Sequence, residues 1–540
     1  MGNFFSYLRS RKIIIILCFL FFLIRLPLLD QLYLLHDERD IALSGYTIAK
    51  EGRDLYGNKL PLSFEGISPK NPVVAIYYSA LSWLFMPSRS VFSARLPYVF
   101  ISTFLLLLIF ELVNLITKDK KKALVTACIF CFSPWIFHLT RLAMDINLAF
   151  VLLLLGMIFY LKKKVVVSFI FFILASYSYL GFRVLVPILI FYLMTYFIFD
   201  KANKVKISRL IVVNIVFILV LAGSIFYIDK GITASRFQNE VLFSRSERVI
   251  KDVHFKRMTS IAPENIRALF HNKITSSFDI LFENVLSGFE LSYLFKKGDY
   301  SAVNGNTATG QFFMPFIIFL ILGLVSAASR RQKKDLFLLG FIFIGMLPSL
   351  ASVISSSYSI RAILSGIGYA YLLSLGVLYA QDLLNKIKPI WRNIAYTIFV
   401  ALLLINVTFF IYNYFLRRPV TVSELFNEHE RTLALHLIKN DTKTTVFHTY
   451  PQEIYLTYAF LNNKLSAKEI RLTKKTKFQS DNVLFDLCLY NRNFLAINPK
   501  IVYDGCLTEE QYKEWVTHDI AKRTLPYADY SKKTAYFVFE

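Results

Sequence analysis

The segment His36-Asp37-Glu38-Arg39-Asp40 is the densest set of proton-moving groups in the chain, and it directly follows an apolar run. Two adjacent carboxylates at a membrane surface repel each other. One chemical use for such a pair is general-base catalysis, in which a carboxylate takes the proton of an acceptor hydroxyl as that oxygen attacks a sugar carbon. The same residues also make sense as a solvated cluster at a helix end, balanced by Arg39. A second set is four isolated arginines: Arg95, Arg141 in the turn from Pro134 to Asp145, Arg183 between Tyr179 and Pro187, and Arg361 after Ser355-Ser356-Ser357-Tyr358-Ser359. A guanidinium fork matches phosphate geometry and keeps its charge at an interface. Any one of these arginines equally fits snorkelling or capping of helix carbonyls. Their repetition points to a common anion. Asp145, four residues after Arg141, can pair with it on one helix face or orient a site. Lys59 and Lys70 can hold a lipid phosphate or simply face water.

The elements that must position these groups follow from composition. Of 540 residues, 55% are hydrophobic, 18% are charged and 52 are Phe. The mean hydropathy is +0.49. Such a chain has too little polar surface to cover a soluble globule of its size, so lipid is its main solvent. The net charge of +24 does not point to nucleic acid. The basic residues sit in clusters at every second junction between apolar runs, for example Lys118 to Lys122, Lys162 to Lys164 and Arg330 to Lys334. This is the positive-inside pattern of cytoplasmic loops. No basic-aromatic nucleic-acid module is present.

The pattern predicts an all-α polytopic membrane protein of about eleven spans. They are expected near residues 13–29, 92–116, 123–139, 145–161, 165–181, 184–200, 207–228, 312–328, 336–355, 360–380 and 393–415. The N-terminus is then cytoplasmic, and all four arginines and the acidic pair face outward. Val73 to Met86 reads as an amphipathic helix at the outer interface, anchored by Tyr77 and Trp83. Two long outer loops span residues 30–91 and 229–311, the second holding short surface helices such as Asn265 to Phe282. The tail differs in composition. Helical periodicity over Glu424 to Lys439, strand-like alternation over Thr444 to Tyr450 and a further helix from Glu453 to Leu461 predict a small extracytoplasmic α/β domain. The expected division is therefore 1–416, transmembrane and catalytic, and 417–540, the tail domain. Cys128 and Cys131 form a CxxC inside an expected span, where Cys behaves as a small apolar residue. Cys488 and Cys506 stand alone in the tail, and their pairing is left open. No HExxH, Walker A or GxSxG motif occurs, which removes support for metalloprotease, nucleotide-loop and hydrolase-elbow chemistry.

Acid and arginines together suggest one reaction. A lipid-linked sugar phosphate reaches the site from the bilayer, arginines stabilise the leaving phosphate, and a carboxylate deprotonates the acceptor.

At this point the chain resembles the bacterial relatives of dolichyl-phosphate-mannose protein mannosyltransferases, within the polytopic GT-C glycosyltransferase superfamily. The resemblance covers most of residues 10 to 380. His36-Asp37-Glu38, then Gly52-Arg53-Asp54-Leu55-Tyr56-Gly57-Asn58-Lys59-Leu60-Pro61, is similar to the family's acidic pair followed by "G-D-x-Y-G-x-x-L-P". Ser93-Ala94-Arg95-Leu96-Pro97 is similar to "S-x-R-L-P". Ser133-Pro134-Trp135 with His138 and Arg141 resembles the outer turn "S-P-W-x-x-x-x-S-R", with Thr140 in place of Ser. Tyr177, Tyr179, Arg183 and Pro187 fit "Y-x-Y-x-x-x-R-x-x-x-P". Gly310-Gln311 and Arg361 are also similar to family features. The resemblance implies Asp37 as the catalytic base with Glu38 supporting it, and a polyprenyl-phosphate monosaccharide donor with inversion at the anomeric carbon. One departure stands out. The family often has a histidine shortly before the arginine matching Arg361, and here Tyr358 stands three residues before it.

The expected function is an inverting glycosyltransferase of the cell membrane acting on an extracytoplasmic acceptor: a protein hydroxyl, a lipid or an envelope glycan. Arg95, Arg141, Arg183 and Arg361 are expected at the donor phosphate, with His36, Asp145, Tyr358 and Lys59 in support. No cofactor is required and no resident metal is expected, although the acidic pair beside a phosphate leaves room for a divalent cation. The expected partners are the lipid-linked donor, the acceptor and membrane lipid, with no nucleic acid. Competing readings are a polyprenyl-lipid flippase or transporter and a non-catalytic envelope assembly protein. Transporters tend to carry repeats and mid-membrane charges. Here ionisable groups collect near the ends of the runs.

Overall fold

The computed structural model describes residues 12–55, 57–64, 72–86, 88–199, 206–229, 241–242, 247–299, 301–305, 308–353, 359–439, 442–466, 477–488, 501–506, 523–526 and 534–539. Tyr358 and Lys70 lie outside the described residues. The chain forms two compact units. One comprises 1–27, 68–75 and 98–413, the other 28–67, 76–97 and 414–540. This differs from the expected division. The first outer loop groups with the tail rather than with the helices that precede and follow it, because the two share one apolar core.

The first unit is helical. Among the described residues, four helices are long and apolar enough to cross a membrane: Val91–Thr117, Ile207–Ile228, Ser365–Leu384 and Pro389–Phe426. A span needs roughly 20 residues to cover about 30 Å of hydrocarbon. Other expected spans are present as shorter apolar helices, such as Asp145–Leu161 and Val165–Ser178, the first only about 25 Å long. The expected span at 123–139 is broken into Lys120–Cys131 and Pro134–Leu139. Ser133 explains the break, since its side chain caps the second helix by accepting the Ile136 N–H and Pro134 opens it. Eleven full-length spans are therefore not reached among the described residues. Close packing in this unit uses glycine. A Cβ on Gly323 or Gly376 would lie 2.2 Å from the Leu372 carbonyl oxygen or 1.9 Å from that of Phe319, so Ile317–Arg330 and Ser365–Leu384 approach backbone to backbone. Lys122, from a cluster read as a solvated loop, is buried instead, with Nζ 2.9 Å from Asp335 Oδ1, which also accepts the Tyr371 hydroxyl.

Among the described residues, the second unit holds a six-stranded mixed sheet. Its strands are β1 (Thr444–His448), β2 (Lys477–Ser480), β3 (Val483–Leu487), β4 (Ile501–Asp504), β5 (Arg523–Pro526) and β6 (Thr534–Phe539), in the order β2-β3-β1-β4-β6-β5. β1 is central and parallel to both β3 and β4; the outer pairings are antiparallel. The helices Glu428–Lys439 and Pro451–Leu461 precede and follow β1, close to where periodicity put them. Cys488 and Cys506 are joined as a disulfide. The core mixes Leu34, Leu43, Tyr46 and Trp83 from the first outer loop with Leu437, Val446, Phe460 and Phe485 from the tail. Trp83 is thus buried rather than an interfacial anchor. Its indole N–H donates to the Ala42 carbonyl at 2.9 Å, and its ring meets Tyr46 and Phe460 edge-on.

Candidate active site

The acidic pair opens a helix. His36–Glu51 begins after Leu35, whose extended backbone ends the preceding segment, and stops at Gly52, which adopts a left-handed φ of 64°. Asp37 and Glu38 fall in the first turn, where the exposed N–H groups and helix dipole favour negative charge. The Glu38 carboxylate accepts the Leu35 N–H at 3.0 Å, which closes that turn.

Glu38 is fully buried and Arg95 nearly so. Arg95 Nε donates to Glu38 Oε1 at 2.9 Å and Nη2 to Oε2 at 2.7 Å, a bidentate pair. Nη1 donates to the carbonyls of Leu29 and Leu32, each at 2.8 Å, and Nη2 to that of Tyr33 at 2.8 Å. These bonds use all five N–H groups of a guanidinium. Arg95 was expected at a donor phosphate. In this arrangement a phosphate would have to displace a bond inside the fold, and the side chain serves to gather residues 29–38. Asp37, next to the clamped Glu38, is half-buried.

His36 is 39% exposed at its side chain, with Nδ1 2.9 Å from Arg39 Nη2 and Nε2 3.9 Å from Asp40. Lys59 is exposed and pairs by backbone with Arg53 across a tight turn. There Asp54 accepts the backbone and side-chain N–H groups of Asn58 at 2.7 and 2.9 Å, and Gly57 takes φ 87°. The "G-D-x-Y-G" resemblance therefore marks a turn with a structural job.

Arg141, Asp145, Arg183 and Arg361 belong to the other unit. Arg141 is buried, donating to the Arg25 carbonyl at 2.7 Å and the Pro27 carbonyl at 2.8 Å. Arg25 itself is wholly buried and bonds Thr140 Oγ1, the Cys131 carbonyl and the Phe21 carbonyl at 2.6, 2.7 and 3.0 Å. Two arginines thus stitch the Ser133–Asp145 turn to the end of the first helix. Sequence reasoning passed over Arg25. A lone charge inside the first apolar run was the signal that marks it. Asp145 starts Asp145–Leu161, is buried, and receives the Ser178 hydroxyl on its carbonyl at 3.2 Å. Arg183 is half-buried, donating to the Ser176 carbonyl at 3.1 Å with its guanidinium 5.3 Å from the Tyr177 ring centre. Arg361 is half-buried and donates to Ser352 Oγ. Its segment is fixed on both sides: Asn284 donates to the Ser352 carbonyl at 2.8 Å, and Asp299 accepts the Ser359 N–H. Burial pushes the Asp299 carboxyl up to about 6, against the hydrogen bonds it accepts from Ser359 and Ser301.

Asp37, Glu38, His36, Lys59 and Arg95 therefore share one unit, and Arg141, Asp145, Arg183 and Arg361 the other. Among the described residues no group of three or more His, Cys, Asp or Glu is spaced to hold a metal ion.

No family model matches the chain, and no curated protein matches it. Among solved structures, the chain is similar to ArnT from Cupriavidus metallidurans bound to undecaprenyl phosphate, at 10% identity and a TM-score of 0.44, over 98% of each chain. It is also similar to the archaeal oligosaccharyltransferase AglB from Archaeoglobus fulgidus in complex with an inhibitory peptide and a dolichol-phosphate, at 12% identity and a TM-score of 0.43 over 81% of this chain. It spans 60% of the length of that oligosaccharyltransferase.

Proposed function

We propose that the chain is a membrane glycosyltransferase that moves one sugar from a polyprenyl phosphate to a hydroxyl-bearing acceptor outside the cytoplasm, with inversion. The acceptor oxygen attacks the anomeric carbon as the carbon–oxygen bond to phosphate breaks. The leaving oxygen departs with the electron pair as polyprenyl phosphate, and the acceptor proton passes to Asp37. The observation that carries this reading is the division of labour in the acidic pair: Glu38 is buried and consumed by Arg95 and Leu35, while its neighbour Asp37 stays half-buried at the helix start. A rigid neighbour holding a reactive carboxylate is what general-base catalysis requires. Arg95 and Arg141 are both assigned to holding segments of the fold. The tail disulfide supports an oxidising, extracytoplasmic location.

The test uses purified protein in lipid nanodiscs with a sugar-loaded polyprenyl phosphate and candidate acceptors, following release of polyprenyl phosphate. Asp37→Asn should lower turnover by about 10²–10⁴-fold while leaving donor binding intact. Full turnover in that variant removes Asp37 from the mechanism. Movement of the lipid across the bilayer without bond cleavage identifies a flippase instead.

A further inference from the structure

Two buried clamps act on consecutive residues of the His36–Glu51 helix. Side chains one residue apart on a helix point about 100° apart, so holding Glu38 and Arg39 together fixes the helix in rotation and in position along its axis. That in turn aims Asp37. The Glu38 clamp is Arg95. The Arg39 clamp comes from the tail: Arg39 Nη1 lies 2.5 Å from Glu430 Oε2, and Nη2 lies 3.4 Å from Glu453 Oε2. Thr457 donates to the same Glu430 oxygen at 2.6 Å. The stretch before the helix is held by the same part of the chain. Gln31 donates to the Phe415 carbonyl at 2.9 Å, the Tyr33 N–H to Glu428 Oε1, and Asn427 to the Leu34 carbonyl at 3.0 Å.

The side chains of Arg39 and Glu430 are 0% and 1% exposed. Stripping two charges of water is expensive, and an apolar pair of similar size is often as stable or more so. The cost is better explained by a need for exact placement than by stability. Burial opposes the charge on Glu430, yet Arg39 beside it outweighs that and holds the carboxyl below its ordinary range.

We propose that Glu430 is a positioning residue for Asp37, and that the tail is a working part of the catalytic centre rather than an appended recruiting domain. This rests on the reading of Asp37 as the base. The experiment compares the full chain with the double variant R39M/E430L, with E430D and with Asp37→Asn, each checked for folding by thermal unfolding. R39M/E430L removes Arg39 and Glu430 together, so neither is left buried without the other, and the Glu453 side chain that also loses Arg39 is 20% exposed; E430D keeps the charge and shortens its reach. A base displaced by about 1 Å costs up to about 10²-fold in rate. The double variant should therefore lose roughly 10- to 100-fold in kcat with donor KM within about twofold, and E430D should recover part of that loss. If the double variant does not fold, E430D carries the measurement, with a smaller loss confined to kcat. A folded variant whose kcat stays within about twofold of the parent, or whose loss lies in KM alone, overturns the proposal. If Asp37→Asn is inactive while the clamp variants are unaffected, only this inference falls. If Asp37→Asn turns over normally, the reading of the base falls and takes the inference with it.

Discussion

Neighbouring residues of like chemistry end in different roles because of what surrounds them. Glu38 and Asp37 are both first-turn carboxylates, but Glu38 is fully buried against the Arg95 guanidinium while Asp37 is half-buried, so Glu38 is a strut and Asp37 is the proposed reagent. Removing the strut's partner should be costly. Arg95→Met leaves a charged Glu38 in the core, and the loss should be about 3–5 kcal/mol, read as a lowered unfolding midpoint in detergent. Arg95→Lys should fall between, since an ammonium offers three donors where this site uses five. Residue types and spacing single out the acidic pair and the arginines in the sequence. Which arginines are committed to holding the fold was not legible, because that depends on which carbonyls tertiary packing brings within reach. Arg25 and Arg141 illustrate this: their acceptors are backbone carbonyls, including Cys131 for one and Pro27 for the other, and carbonyls leave no trace in composition.

At the scale of elements, the tail shows where pattern reading succeeds and where it stops. Helical periodicity found Glu428–Lys439, and alternation found β1. The short hairpin β2–β3 was missed: its strands are four and five residues long, and its turn relies on Asp481 in a left-handed conformation with φ 51°. The parallel pairing of β1 with both β3 and β4 is a long-range choice that no local window contains. The disulfide follows from it. Cys488 lies just after β3 and Cys506 just after β4, so the bridge ties the two neighbours of the central strand across a separation of 18 residues. Cys506→Ser should destabilise the tail by about 3 kcal/mol from loop closure, measured as the shift in its unfolding midpoint with and without reductant. Among the described residues, fewer than eleven runs form a full-length helix, and one break has a physical reason. Helix packing lets an apolar run be interrupted, as at Ser133-Pro134, where an isolated apolar run would have to continue.

For the whole molecule, two units woven from alternating stretches of chain replace the simple succession of membrane part and tail. Cutting the chain after Leu416 should therefore leave more than a missing domain. Leu34, Leu43, Tyr46 and Trp83 would lose the tail side of their core, and the first loop should become protease-sensitive. Limited proteolysis of the truncated and full chains checks this, and equal protection of the loop in both would contradict it. The weave also imposes an order on biosynthesis. Residues 28–97 leave the ribosome about three hundred residues ahead of Tyr414, which at ordinary rates of chain growth is roughly 15–60 s. During that interval the apolar side chains of the nascent loop lack the tail half of their shared core, so a half-made chain carries an exposed sticky surface. The core closes only when the later segment arrives, and a chaperone that shields the waiting loop would meet a need written into the connectivity itself.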